Sequence, residues 1–344
     1  MKAMELVDFG GPEALRETEV ADPVPVAGEV VIRVKSTSIN MLDLLVRKGY
    51  VKQLVKLPHV SGSDVCGRIE SVGTGVEGFG IEDVVMANPF IPCKSCEACL
   101  SNNESICYKW KIIGRDTWGS YGELVKLPAS LLVKAPTNLN VEELGCIPLS
   151  LSSAWKCIKL AEPKEADTVI IRGASGNVGI FATMIAKAKG LKVIALTRSA
   201  DKAAKLRSLN ADIVINTDGK EQDLVKEIKD ITNGNGADFL LEPFGSTLDQ
   251  SLDMVHNGGK IILFGTMTGS QANVDVKKIY FGFKHIIGNT ASSKTDFEDS
   301  LKFIGANNIK PLIGKRMSIK NVAEGQQMLE NSEVFGKIVL THDW

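Results

Sequence analysis

The pattern of apolar and polar positions divides the chain into two kinds of region. Up to about residue 130, short β-like runs are broken by Gly, Pro and Asp, as in Glu29–Val34, Gly67–Val72 and Glu123–Leu127. Short apolar runs bounded by turn residues are typical of β-strands. The front of the chain is therefore predicted to form a compact, mostly β unit.

From about residue 166, short apolar runs alternate with longer segments of helical period. This alternation is typical of a parallel sheet with helices on both faces, which is a doubly wound α/β architecture. The predicted strands are Thr168–Ile171, Lys192–Leu196, Asp212–Ile215, Phe239–Leu241 and Lys260–Phe264. The predicted helices are Val178–Lys189, Asp201–Leu209, Glu221–Ile231 and Leu248–His256.

The last part of the chain departs from this repeat. It predicts two helices, Thr295–Gly305 and Asn321–Glu330, and a closing strand, Lys337–Leu340. Because it differs from the α/β block, we assign it back to the first unit. The predicted domains are residues 1–135 together with 290–344, with a lobe at 91–109, and residues 136–289.

Composition narrows the function classes without changing this picture. The 344 residues carry 40 Lys and Arg against 41 Asp and Glu, which gives a net charge of −1, and 44% of them are hydrophobic. A chain with a net charge close to zero lacks the excess of positive charge that nucleic-acid binding usually requires. The start lacks a continuous apolar segment, and no uncharged apolar run approaches the roughly 18 residues of a membrane span. We expect a cytoplasmic protein that binds neither nucleic acid nor a membrane.

The seven cysteines are distributed unevenly. Four of them lie close together, and the other three, Cys66, Cys146 and Cys157, are scattered. An odd total with such clustering argues against a disulfide framework and favours a metal site in a reducing compartment. The clustered cysteines are Cys93, Cys96, Cys99 and Cys107.

A glycine-rich turn follows the first strand of the α/β block and precedes a predicted helix. Glycines there let the backbone approach a pyrophosphate, whose charge is met by free N–H groups at the helix start. A tight structural turn is the alternative, but the flanking strand and helix favour a dinucleotide site. The residues predicted to form it are Gly173, Ser175, Gly176, Asn177, Val178 and Gly179.

The end of the second α/β strand indicates which dinucleotide is bound. A carboxylate at this position usually binds the ribose 2′-hydroxyl of NAD, whereas a 2′-phosphate is met by cations and hydroxyls. This chain has Thr197, Arg198 and Ser199 there, with Lys202 one helical turn later. NADP(H) is therefore the predicted cofactor. The alternative is that Arg198 and Lys202 only solvate a surface corner.

Taken together, these features resemble the medium-chain dehydrogenase/reductase superfamily over essentially the full chain. Further strings that carry the resemblance are Gly62–Gly67, Gly119–Val125, Gly258–Gly265 and Gly336–Leu340. The resemblance implies a GroES-like β-rich catalytic domain, a Rossmann domain, and an active site in the cleft between them. It also implies that Gly265 contributes to cofactor binding.

The cysteine cluster is similar to the structural-zinc lobe of zinc-containing alcohol dehydrogenases. Four closely spaced thiolates can surround one Zn²⁺ tetrahedrally, and a site without an open position holds structure rather than activating substrate. We therefore expect one structural zinc. Four buried free thiols are the alternative.

The positions that resemble the catalytic-zinc ligands of alcohol dehydrogenases depart from that pattern. They are Asn40, Ser63 and a position near Leu149, none of which is a convincing zinc ligand. A displaced site that uses His59 or Cys66 is an alternative. The pattern around Asn40 and Asp43 looks instead like the quinone oxidoreductase and enoyl reductase branches, which use NADPH and no catalytic metal. Archaeal acryloyl-CoA-type reductases resemble this chain in combining the cysteine lobe with the lack of a catalytic zinc, and in the helical segment that starts at Thr295.

This resemblance implies a mechanism and a set of active-site residues. Hydride addition to an activated C=C bond or a quinone leaves an anion that needs hydrogen-bond donors and a proton. Asn40, Ser63 and Ser150 are the candidate donors, Tyr50 is the candidate proton relay, and Asp43 is the candidate orienting group. Each of them could also be a structural polar residue.

Three functions remain open at this point. The first is an NADPH-dependent reductase of a carbonyl-conjugated, enoyl or quinone substrate; the second is a zinc alcohol dehydrogenase with displaced ligands; the third is a non-catalytic NADPH-binding relative. The sequence identifies neither the substrate nor its stereochemistry. By analogy with the family we expect a homo-dimer or homo-tetramer.

Overall fold

The computed structural model describes residues 1–219 and 222–344, which divide into two compact units. Unit 1 comprises Met1–Ser152 and Ser292–Trp344, and unit 2 comprises Ser153–Ala291. Glu221, the first residue of a predicted helix, lies outside the described residues. The mixed α/β fold class predicted from the sequence is confirmed.

The strands are, in chain order, β1 (Lys2–Leu6), β2 (Leu15–Glu19), β3 (Glu29–Ser38), β4 (His59–Val60), β5 (Cys66–Val72), β6 (Val84–Ala87), β7 (Phe90–Ile91), β8 (Lys111–Ile112), β9 (Leu124–Pro128), β10 (Leu132–Lys134), β11 (Thr168–Ile171), β12 (Lys192–Thr197), β13 (Ile213–Asn216), β14 (Ala237–Glu242), β15 (Val255–Leu263), β16 (His285–Gly288), β17 (Ile313–Ser318) and β18 (Lys337–Thr341).

The α-helices are α1 (Met41–Arg47), α2 (Glu97–Leu100), α3 (Val141–Gly145), α4 (Pro148–Ala161), α5 (Asn177–Ala188), α6 (Ala200–Ser208), α7 (Leu224–Ile231), α8 (Leu248–Met254), α9 (Val276–Tyr280), α10 (Lys294–Ala306) and α11 (Val322–Glu330). Short 3₁₀ helices lie at Pro12–Ala14, Lys52–Leu54, Glu104–Ile106, Ala129–Leu131 and Ile319–Asn321.

Unit 1 is built around a seven-stranded sheet. Its strands run in the order β10-β6-β5-β3-β18-β17, and β9 also pairs with β3. The long strand β3 is central because its apolar residues are buried and it pairs antiparallel with β5, β9 and β18. The closing strand β18 therefore joins the second segment of unit 1, Ser292–Trp344, to the core formed by its first segment, Met1–Ser152.

The boundary between the units falls later than the predicted one at residue 135. The helix α3 packs against β3 and β18 of unit 1, and the Ser36 hydroxyl donates a hydrogen bond to the Val141 carbonyl. These contacts keep residues 136–152 with unit 1, so that the boundary lies within α4.

Unit 2 contains a six-stranded parallel sheet in the order β13-β12-β11-β14-β15-β16. Numbered from the first strand of the unit, this order is 3-2-1-4-5-6, the Rossmann arrangement. The strand order reverses between β11 and β14, and ligands of such sheets bind at the carboxyl ends of the strands at that reversal. The glycine-rich turn begins directly after β11.

One predicted boundary in unit 2 is wrong. The helix α8 ends at Met254 rather than at His256, and β15 begins at Val255 rather than at Lys260. The reason is that Val255 pairs with Ala237 of β14 ahead of a register shift in the ladder. Across the described residues, no helix has the length and hydropathy that crossing a bilayer requires.

Candidate functional site

A buried polar cluster in unit 1 gathers side chains from separate parts of the chain. Asn40 lies at the start of α1, Asp64 in the segment before β5, Ser150 in the first turn of α4, and Lys337 at the first position of β18. Asp64 is fully buried and the Lys337 side chain is 2% exposed. Buried charges are tolerated when they are paired and hydrogen-bonded, and these two form an ion pair.

The Lys337 ammonium is the centre of this cluster. Its Nζ lies 2.8 Å from Asn40 Oδ1, 3.1 Å from Ser150 Oγ and 3.2 Å from Asp64 Oδ2. An ammonium has three N–H donors, so these contacts use all of them. The cation is held in one position.

The Asp64 carboxylate is equally well satisfied. Its Oδ1 accepts the backbone N–H of Leu149 at 2.7 Å, and its Oδ2 accepts hydrogen bonds from the Asn40 amide at 2.7 Å and from the Ser38 hydroxyl. This carboxylate thereby links the end of β3, the start of α1 and the start of α4.

These contacts change the role expected for Asn40. Its Oδ1 faces Lys337, while its Nδ2 donates to Asp64 and lies 3.4 Å from the Ser38 carbonyl. The amide orientation is therefore fixed by charged partners on both sides. The amide is engaged within the cluster, which differs from the free donor that the sequence predicts.

The other predicted catalytic residues are placed differently from one another. Ser150 joins the cluster and lies 3.3 Å from Asn40 Oδ1. Ser63 is fully buried beside Asp64, and its hydroxyl has no hydrogen-bond partner within the described part of the chain. Tyr50 does not join them: its side chain is 70% exposed and lines a separate surface cleft of about 530 Å³ with Arg47 and Glu330.

Asp43 is buried one turn into α1. Its Oδ2 accepts the Asn40 backbone N–H at 2.8 Å and the Tyr121 hydroxyl at 2.9 Å, which supports the orienting role predicted for it. Its Oδ1 is buried without a partner among the described residues. Burial raises the pKa of Asp43 to about 7, although both hydrogen bonds favour the ionised form.

We expect the stability of the protein to depend on pH through Asp43. The pKa is raised in the folded state, so the neutral carboxyl contributes stability below pH 4, and this contribution is lost as pH rises through 7. Asp43→Asn removes the titration. The difference in the free energy of unfolding, variant minus natural protein, should therefore increase from pH 4 to pH 8. Urea denaturation at each pH measures this difference. The exposed Asp8→Asn is the control, and an equal pH dependence in both variants would contradict the expectation.

The four clustered cysteines lie on one loop of unit 1, and their Sγ atoms are all within 4.8 Å of one another. Cys93 and Cys99 are 3.9 Å apart at sulfur, and Cys96 and Cys99 are 3.5 Å apart. A tetrahedral Zn²⁺ with Zn–S bonds of about 2.3 Å has sulfur–sulfur edges of roughly 3.8 Å. The four sulfurs, none of them in a disulfide, therefore fit this ion.

Among the described residues, no set of ligands around His59 or Cys66 matches the alternative of a displaced catalytic metal site. His59 Nε2 lies 3.0 Å from the Gly114 carbonyl, and burial raises the pKa of the Cys66 thiol to about 12. The four cysteines are the one group of three or more candidate metal ligands in residues 1–219 and 222–344.

The glycine-rich turn has the conformation that close approach to a ligand requires. Gly173 has a φ of +62°, and Gly176 is the N-cap of α5, which begins with Asn177 and Val178. A Cβ on Gly179 would lie 2.4 Å from the Gly173 carbonyl oxygen, so only glycine lets α5 start this close to the turn.

The predicted 2′-phosphate residues follow β12 at the same edge of the sheet. The Ser175 hydroxyl lies 3.1 Å from that of Thr197, which joins the glycine turn to the end of β12. Ser199 caps α6 by accepting the Lys202 N–H, and Arg198 is exposed beside it. Partial burial lowers the pKa of Lys202.

Gly265 lies after β15, and a Cβ there would be 2.6 Å from the carbonyl oxygen of Pro243, in the segment that follows β14. A Cβ on Gly173 would lie 3.5 Å from the side chains of Pro243 and Phe244. Gly173 and Gly265 therefore both contact the segment after β14. The structure gathers the predicted cofactor residues at the carboxyl ends of the strands.

Sequence reasoning misses two residues of the cluster, Asp64 and Lys337, and also Tyr121, which bonds to Asp43. All three occur in strings that carry the family resemblance, but the strings assign them no role. A lysine at the start of an otherwise apolar closing strand is the signal that could have identified Lys337. Its partner could not be found this way, because residues 64 and 337 are far apart in the chain.

Two family models match the chain. The one described as "Alcohol dehydrogenase GroES-like domain" matches residues 26–137, and the one described as "Zinc-binding dehydrogenase" matches residues 177–306. The first lies in unit 1, and most of the second lies in unit 2.

Full-length relatives carry two kinds of name. The chain is 31% identical to "Acryloyl-coenzyme A reductase" of Sulfurisphaera tokodaii, over 98% of this chain and 99% of that protein. It is 28% identical to "NAD-dependent alcohol dehydrogenase" of the same organism, over 99% of each. The solved structure titled "Crystal Structure of NAD-dependent alcohol dehydrogenase" has a TM-score of 0.91 and 34% identity, with 99% of each chain covered.

Proposed function

This chain belongs to the medium-chain dehydrogenase/reductase superfamily, and on that premise we propose that it is an NADPH-dependent reductase of a C=C bond conjugated to a carbonyl or thioester. A quinone is the related acceptor that the same chemistry would serve. The observation that carries the proposal is the Lys337 ammonium among Asn40, Ser150 and Asp64. The relatives named as acryloyl-CoA reductases support the enoyl thioester.

The fixed ammonium favours reduction of an activated double bond over oxidation of a simple alcohol. A metal that polarises an alcohol oxygen needs about three protein ligands and an open position. The Asn40 amide oxygen already accepts a hydrogen bond from the Lys337 ammonium, and neither Ser63 nor Leu149 supplies a strong metal ligand. An enoyl thioester spreads the developing charge over its own carbonyl, so hydrogen-bond donors suffice to stabilise it.

The residues of unit 2 would hold the cofactor. The backbone of Gly173–Gly179 and the start of α5 would bind the pyrophosphate, and Thr197, Arg198 and Ser199 with Lys202 would bind the 2′-phosphate. Bound NADPH supplies the hydride that adds to the electron-poor carbon. The preference for NADPH over NADH is part of the proposal.

The residues of unit 1 would stabilise the enolate and the groups around it. Ser63 and Ser150 are hydroxyl donors for the oxygen that becomes anionic. The Lys337 ammonium donates a hydrogen bond to Ser150 Oγ and so keeps it in place. Asp43 orients the backbone of Asn40 through its hydrogen bond to that N–H. Cys93, Cys96, Cys99 and Cys107 would hold one structural zinc, and a site filled by four thiolates has no open position for substrate.

A homo-oligomer, either a dimer or a tetramer, is also part of the proposal. The support is β16, an edge strand of the sheet in unit 2 with an outward side that pairs with no strand of the described chain. Large apolar side chains are exposed on or near it: Tyr280, Phe281, Phe283 and Ile286. Exposed edges of this kind are ready to pair with another strand. Sedimentation of the purified protein measures the particle mass directly.

A cytoplasmic location is also part of the proposal. The support is the group of clustered thiols, because free or metal-binding thiols are typical of a reducing compartment.

The test of the function is an acceptor screen that follows oxidation of NADPH and NADH in parallel. We expect reduction of an acryloyl- or crotonyl-type thioester, faster with NADPH, that persists through a brief exposure to chelator. Little oxidation of simple alcohols is expected. Brisk alcohol oxidation that chelator abolishes at once, with the fold intact, would favour the zinc alcohol dehydrogenase. Cofactor binding without oxidation by any acceptor would favour a non-catalytic relative.

A further inference from the structure

The cluster around Lys337 contains one donor that is not fully engaged. Lys337 gives its three N–H bonds to Asn40, Ser150 and Asp64, and the Asn40 amide is bonded at both ends. Ser150 Oγ accepts from Lys337, whereas its own hydroxyl hydrogen has only the long contact of 3.3 Å to Asn40 Oδ1. That hydrogen is the easiest one in the cluster to redirect to a ligand.

The ammonium also affects the strength of this donor. A hydroxyl that accepts a hydrogen bond from a cation becomes a better donor itself, because hydrogen bonds in a chain polarise one another. Ser150 is buried, and a hydrogen bond to a developing negative charge is strongest where water is excluded. The Lys337 ammonium is also bonded to Asp64, which fixes its position. The hydrogen bond from this fixed ammonium then holds the Ser150 oxygen in place.

We infer that Lys337 is the positioning residue of the reduction, which orients and polarises the Ser150 hydroxyl toward the substrate oxygen that becomes anionic. This inference rests on the proposed function. Ser150 is then the catalytic donor of the pair. Asn40 helps to hold the ammonium and makes no direct bond to substrate.

The test removes the ammonium without leaving a buried charge unpaired. Lys337→Met alone would leave the Asp64 carboxylate buried without its cation, which is strongly destabilising. The variant to measure is therefore Asp64→Asn together with Lys337→Met. The matched control is Asp83→Asn together with Lys134→Met, the same changes at an exposed ion pair in unit 1 with a separation of 3.7 Å.

We expect the Asp64→Asn/Lys337→Met variant to fold and to bind NADPH as the natural protein does, because the cofactor residues lie in unit 2. Its kcat for the acceptor should fall by about tenfold to a hundredfold with little change in KM, which is less than the roughly 10²–10³ lost when an oxyanion donor is removed outright. Ser150→Ala should lose a similar factor. Adding it to the Asp64→Asn/Lys337→Met variant should cause little further loss, because the two act through one hydroxyl. A kcat within twofold of the control variant, or losses that multiply, would overturn the inference.

A second measurement needs no turnover and separates this inference from the proposed function. In protein labelled with ¹⁵N-lysine, the buried, fully bonded ammonium should give a slowly exchanging signal that is lost in the variant lacking Lys337 and kept in the control. If this signal is absent from the natural protein, the inference fails. If the signal is present but no acceptor is reduced, the proposed function fails and the positioning role in that reaction fails with it, while the geometry of the cluster stands.

Discussion

Gly179→Ala is expected to raise the Kd for the dinucleotide by roughly fivefold to 150-fold. The added Cβ would lie 2.4 Å from the carbonyl oxygen of Gly173 and 2.6 Å from the Cα of Ala174, and both are backbone atoms that cannot turn aside. The turn and α5 must therefore separate, which moves the N–H groups away from the pyrophosphate. Overpacking of this kind costs about 1–3 kcal/mol, and a loss of binding free energy of that size gives this change in Kd.

A glycine outside the turn provides a matched control. Gly305 is exposed in helix α10, and a Cβ there would meet no atom within 4 Å. Gly305→Ala should therefore leave dinucleotide binding unchanged. Titration of NADPH fluorescence measures both variants. Equal losses in the two, or full binding by Gly179→Ala, would mean that the cofactor does not use this turn.

The sequence predicts unit 2 well for a local reason. Buried parallel strands are continuous apolar runs, and the glycine turn stands between one such run and a helix, so short windows carry the signal. The strands β11, β12 and β13 and the helix α5 lie close to their predicted bounds. Strand β15 follows helix α8 without a turn, so the boundary between them carries no local signal and the sequence does not predict it correctly.

The polar cluster in unit 1 could be predicted only in part. The resemblance pointed to Asn40, Ser63 and Ser150, and the structure brings Asn40 and Ser150 together. It could not say which atoms of Asn40 remain free, because that depends on Lys337, which is brought in through the pairing of β18 with β3. Long-range strand pairing is what a reading of local windows cannot supply.

The family resemblance also does not predict the position of the Tyr50 side chain. The residue follows α1 by three positions, and a spacing alone does not say which way a side chain points after a helix ends. In the structure it is exposed beside Arg47, whose guanidinium is bonded to Gln326 and to the Gly10 carbonyl. The fold thus separates two positions, Asn40 and Tyr50, that the sequence pattern groups together.

The second large effect is expected at the cysteine lobe, where Cys107→Ala should release the zinc and lower the melting temperature. The lobe between β7 and β8 contains only the short helix α2 and one 3₁₀ turn, and the core around its buried thiols consists of the cysteines themselves with Ala98 and Trp110. So small a core gains most of its order from the metal, since ligand binding and folding are coupled in such sites. We expect a fall of about 5–10 °C and less than a tenth of the metal content.

Cys66→Ala is the matched control, because Cys66 is a fully buried thiol of the same unit that is not among the four clustered cysteines. It should keep the zinc and lose only the stability of a small cavity. Metal analysis after gel filtration, thermal unfolding and NADPH titration should be run on both variants. In Cys107→Ala, dinucleotide binding should persist, since the glycine turn lies in unit 2 and uses none of the lobe's residues. An unchanged zinc content and melting temperature would leave four free thiols as the correct description of the lobe. Loss of zinc from both variants would instead place Cys66 in a metal site that the geometry of the four sulfurs does not include.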